Sequence, residues 1–124
     1  MPEVTEDIPI TSPITATGAT GPLLANSNID ELTITITASE VTGTTPSITF
    51  TAEWAEQGTS YSDPSWDSGS AVSASALTAA GTKTITLPAA INDSGEPATW
   101  WRLSWTVTGT NDPSFTISAA TATG

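Results

Sequence analysis

Glu53 and Glu56 stand on either side of Trp54 in the run Glu53-Trp54-Ala55-Glu56. Two carboxylates beside an aromatic ring are the smallest set that glycoside hydrolysis needs, one to protonate the leaving oxygen and one to act as base or nucleophile. Strand alternation puts Glu53 on the solvent phase, however, and nothing around it marks a cleft, so the pair reads as surface acid. Nucleophilic catalysis has even less to work with. The many Ser and Thr hydroxyls share the chain with no histidine, no cysteine and a single lysine, Lys83, so there is almost no base to activate an alcohol. Lys83 lies between Thr82 and Thr84 on what reads as the polar phase of a strand, where an edge lysine blocks unwanted strand pairing. Asp63, Asp67 and Asp93 could offer hard oxygens to calcium, but their spacing follows no calcium loop and ordinary turn formation accounts for them. We expect a chain that is not an enzyme and has no metal or cofactor site.

Aromatic residues carry the more specific signal, with five tryptophans in a chain this short. By phase, Trp54, Trp101 and Trp105 belong to a core, where a large ring fills space between sheets. Trp100 falls on the opposite phase beside Arg102, and Trp66 and Tyr61 lie in a polar loop. Exposed Trp, Tyr and Arg dominate protein interfaces, so Tyr61, Trp66, Trp100 and Arg102 are candidate partner contacts. The same rings could form a platform for a glycan, and a loop that folds back would bury them instead. Ile8, Ile10 and Ile14 complete the candidate contact set by giving apolar grip to an N-terminal stretch.

Thirteen acids against two bases leave a net charge of −11. That field repels phosphate backbones and anionic bilayers, and two cations release almost no counterions, so neither nucleic acid nor a membrane is an expected partner. A solvated acidic surface explains the excess, and a high-salt source would fit it as well. No apolar run approaches the roughly 18 residues that would span a bilayer, and the start, Met1 to Asp7, is acidic where a secretory signal would be basic. Without Cys there is no disulfide framework and no thiolate metal site.

The elements that must position these residues read as β throughout. Residues 1–28 hold Pro2, Pro9, Pro13 and Pro22, spaced so that no helix or central strand runs through them, which predicts an extended N-terminal arm. From residue 29 the period is two. Leu32, Ile34, Ile36 and Ala38 alternate with threonines, and Ile48, Phe50, Ala52 and Trp54 do the same after a Gly43–Pro46 turn. Weak strands are expected over Val72–Leu77 and Thr82–Leu87. A strong strand should carry Trp101, Leu103, Trp105 and Val107 inward, and a last one Phe115 and Ile117. The phrase Val41-Thr42-Gly43-Thr44-Thr45-Pro46-Ser47-Ile48-Thr49-Phe50 returns as Val107-Thr108-Gly109-Thr110-Asn111-Asp112-Pro113-Ser114-Phe115-Thr116-Ile117, each time read as a Gly/Pro turn launching a strand. Turn signals at this density predict an all-β domain over residues 29–124, an antiparallel two-sheet sandwich of Ig-like or jelly-roll type with about seven to eight strands.

The run Thr35 to Glu53, the run Ala79-Ala80-Gly81-Thr82-Lys83-Thr84-Ile85-Thr86-Leu87 and the run Trp101-Arg102-Leu103-Ser104-Trp105-Thr106-Val107-Thr108-Gly109-Thr110 together resemble small β-sandwich virion proteins of tailed phages and archaeal tailed viruses. The resemblance spans roughly residues 29–119 and departs in the loops, at Glu56–Ser70 and Ile91–Ala98. It implies a non-enzymatic capsid decoration or cement protein on the outside of the head, partnered by the major capsid protein or another virion protein and forming a homo-oligomer on the particle. A tail- or fibre-associated virion protein is the neighbouring expectation. A carbohydrate-binding module using Trp66, Tyr61 and Trp100 is the alternative from another class.

Overall fold

The computed structural model describes residues 5–24, 31–55, 62, 65–66, 70–88 and 100–123. Among the described residues seven strands form one open antiparallel sheet: β1 Thr5–Asp7, β2 Gly18–Ala19, β3 Leu23–Leu24, β4 Glu31–Trp54, β5 Val72–Ser73, β6 Gly81–Pro88 and β7 Trp100–Thr123. Among the described residues there is no helix, and hence none long and apolar enough to cross a membrane. β4 and β7, each of 24 residues, lie side by side from Thr33↔Thr123 to Trp54↔Trp101. The far edge of β4 carries β6 and β5, and the far edge of β7 carries β1, β2 and β3.

The repeated phrase does not separate strands, contrary to what its Gly and Pro content predicts. Each copy lies in the middle of a long strand, and the two copies face one another. Thr44 pairs with Thr110, Thr42 with Ser114 and Ser47 with Thr108, with register shifts between Thr42 and Thr44 and between Thr44 and Ser47. Gly43 has φ +108°, and a Cβ there would sit 2.8 Å from the Pro113 Cα; Gly109 has φ +128°, and its Cβ would sit 3.0 Å from the Pro46 Cα. Each glycine thus admits the proline of the opposite phrase. Thr45, Asn111 and Asp112 also take positive φ, a left-handed turn of the chain that bulged, strongly bent ladders need.

Both flanking edges show how sharp this bend is. Ile14 exchanges backbone bonds with Phe115, and the Thr17 hydroxyl accepts from the Val107 N–H. An extended three-residue step spans at most about 11 Å, so β7 must double back between Val107 and Phe115. On the other edge Leu77 bonds Ile48 while Gly81 already pairs with Ala38. Ile34, Ile36 and Leu87 from one side of the bend and Ile48, Phe50 and Leu103 from the other are all at most 1 % exposed and join a single core cluster. At roughly 1.5–3 kcal/mol for each large side chain removed from water, this cluster is the main source of stability. Trp54 Nε1 donates to the Pro88 carbonyl at 2.8 Å, tying the end of β4 to the end of β6.

Several phases depart from the sequence reading. Phe115 is buried, but so are Ala120 and Ala122, because the register shift beside Ala38 and Ile117 inserts an extra residue and turns the following side chains over. Trp105, Val107 and Ile117 are only partly buried. Lys83 shares its phase with buried Ile85 and Leu87, not with the threonines, and its Nζ donates to Ser75 Oγ at 2.8 Å at the sheet margin.

The N-terminal stretch is the edge of the sheet. Its prolines have no N–H and interrupt the ladder, so side-chain hydroxyls take over part of the pairing. The N–H groups of Leu103, Val107 and Ile117 donate to Thr20 Oγ1, Thr17 Oγ1 and Ser12 Oγ at 3.1, 2.9 and 2.9 Å. Trp105 Nε1 donates to the Ala16 carbonyl at 3.0 Å.

Candidate functional site

Counting outward from the Ile48↔Val107 pair places Glu53 opposite Arg102. Ala52, Trp54, Trp101 and Leu103 turn to the core, so Glu53 and Arg102 meet on the other face of the sheet. Arg102 Nε and Nη2 both reach Glu53 Oε1, at 2.6 and 2.5 Å. The Trp66 ring centroid lies 4.6 Å from the guanidinium carbon, and Trp66 itself is held by a bridge to Ala55. Ser70 Oγ accepts from the Trp54 N–H at 2.9 Å, and the Ala55 N–H donates to the Trp100 carbonyl at 2.8 Å. A carboxylate, a guanidinium and an indole are therefore assembled on three neighbouring segments.

This arrangement corrects the expected exposure of Glu53, which is 7 % exposed. A carboxylate can be withdrawn from water here because the guanidinium opposite it offsets the lost hydration. Its Oε1 is engaged by Arg102. Glu56, the other half of the possible carboxylate pair, lies outside the described residues, as do Tyr61, Asp63, Asp67 and Asp93. Among the described residues no cluster of acids could hold a metal ion.

The candidate contacts divide into two groups. Trp66 and Arg102 come together, and Trp100, partly buried, shares their face two residues before Arg102. Ile8 and Ile14 are 7 % and 3 % exposed and belong to the core, with Ile10 partly buried against it, so these isoleucines hold the arm to its own sheet. Glu53 is the member that residue-by-residue alternation misses. The register that sets this acid against the arginine begins at Ser47↔Thr108, after two shifts within the repeated phrase, and no sequence signal marks it.

No protein-family model, no curated protein and no solved structure matches the chain.

Proposed function

We propose that this chain is a non-enzymatic structural protein of a tailed-virus particle, a decoration protein bound to the outside of the head. The observation that carries the reading is that the three runs resembling small virion β-proteins, 35–53, 79–87 and 101–110, fall in neighbouring strands of one sheet, β4, β6 and β7. Two further features support it. Each cation of the chain has a partner within it, Arg102 in the Glu53 carboxylate and Lys83 in the neutral Ser75 hydroxyl, and the proline-punctuated arm covers the edge of β7. In the same reading the bent sheet closes on itself as a two-layer sandwich of Ig-like or jelly-roll type, with the fully buried side chains from both sides of the bend as its filling. The major capsid protein is the partner proposed, through the Trp66, Trp100 and Arg102 face.

Mass spectrometry of purified particles tests this. The expected result is the chain at a fixed copy number per major capsid subunit, reduced when Arg102→Ala or Trp100→Ala protein is supplied. A chain absent from particles would overturn the proposal. Tail placement would show as a low copy number that follows tails after heads and tails are separated. A carbohydrate-binding module would instead give oligosaccharide binding lost in Trp66→Ala, although one face of that indole is already occupied by the guanidinium.

A further inference from the structure

We propose that copies of this chain associate edge to edge, with β1 of one copy adding antiparallel to β6 of the next and Glu6 of the first meeting Lys83 of the second. This contact does not rest on the particle reading. Across β1–β7–β4–β6 every neighbouring pair is antiparallel. A copy related by translation across the strands therefore presents β1 in the direction that continues the alternation, and among the described residues nothing pairs with the outer edge of either strand.

The two edges are complementary in charge. β1 is Thr5-Glu6-Asp7, with all three residues exposed. β6 has no acid from Gly81 to Pro88 and carries Lys83. Among the described residues the one ion pair is Arg102 with Glu53, so Lys83 has a hydroxyl partner, Ser75, but no described carboxylate.

The faces match as well. Glu6 pairs with Ala122 and Lys83 with Ile36, both core-phase residues, so Glu6 and Lys83 point to the same side of the sheet. On the other side Thr5, Thr123, Thr33 and Thr86 form one rank across the four strands. Continuing that rank puts the next Thr5 opposite Thr86, Asp7 opposite Thr84, and Glu6 opposite Ile85 and diagonal to Lys83, within the reach of long side chains. This head-to-tail contact uses two different surfaces and so builds a strip or a ring, not a closed twofold dimer.

Lys83 is the only lysine, which makes the test direct. A carbodiimide joins a carboxylate to an amine as an amide with loss of water and adds no spacer. Within one copy, β1 and β6 are three strand spacings apart, about 14 Å, with the core between them on the relevant face, so a Lys83–Glu6 amide reports a neighbouring copy. Treatment of the concentrated full-length protein is expected to give covalent dimers and longer species containing that amide. In sedimentation, Lys83→Glu and Glu6→Lys should each reduce association, and the double variant Lys83→Glu/Glu6→Lys should restore it. Glu6 is exposed, so its variant reads the contact without loading the core. Absence of association at high concentration, Lys83 joined only to other carboxylates, or a double variant no better than the singles would overturn the proposal.

Discussion

Replacing Arg102 by alanine should destabilise the sheet through the carboxylate that it leaves behind. Glu53 is 7 % exposed and its Oε1 receives both guanidinium nitrogens, so the truncation strands a charge with little access to water. Removing one partner of a fully buried pair costs about 3–5 kcal/mol. Here the Arg102 side chain is itself 31 % exposed, and water entering the space it vacates offsets part of the loss, which sets the expectation at about 2–3 kcal/mol. For a domain of this size that is a fall in Tm of about 8–12 °C. Thermal and urea unfolding of Arg102→Ala, Glu53→Gln and the double variant would form the cycle. The double variant should recover at least half of the loss, because a neutral amide tolerates the vacated site better than a carboxylate. Trp66→Ala should give a smaller loss, about 0.5–2 kcal/mol, from the removed ring–cation contact. If Arg102→Ala melts with the parent, or if neutralising Glu53 brings no recovery, the pair is not the desolvated unit described above.

The bend should be intolerant at both glycines: Gly43→Ala and Gly109→Ala each combine a positive φ with a backbone clash, and chemical denaturation should show about 2–4 kcal/mol lost in either. Burial separates the tryptophans, with Trp101→Ala, 4 % exposed in the parent, expected to lose about 3–5 kcal/mol and Trp105→Ala measurably less. Ile14→Ala should lose about 2–4 kcal/mol in the same denaturation assay because the arm fills the core, whereas an arm that only docks elsewhere would leave stability unchanged. Thr20→Val removes the acceptor of the Leu103 N–H, and amide exchange should accelerate at Leu103 with about 1–3 kcal/mol lost overall.

How far the molecule was legible can be traced through particular residues. Leu32 to Ala38 and Ile48 to Trp54 were readable as buried faces because a strand repeats every two residues and one buried face forces alternation. The same argument failed at Ala120 and Ala122, since a bulge shifts the phase by one residue and leaves no mark on composition. It failed at Lys83 for another reason: at the sheet margin an inward phase still reaches a hydroxyl, and the core does not decide that side chain's exposure. The arm was readable as non-helical from its prolines, but its place on β7 rests on the burial of Ile8 and Ile14, which depends on what lies opposite.

Sequence alone determined the antiparallel β character of the described residues, and that the chain lacks histidine, cysteine and any excess of positive charge. Periodicity and residue chemistry are local properties and can be counted along the chain. Tertiary structure decided that the two Gly/Pro phrases meet in the middle of two long strands, that Glu53 is buried against Arg102, and that the Trp66 ring lies against the guanidinium. Those outcomes depend on register between segments separated by dozens of residues. A shift of one residue there exchanges one face of a strand for the other, so the partner of each charge is set only when the whole sheet is assembled.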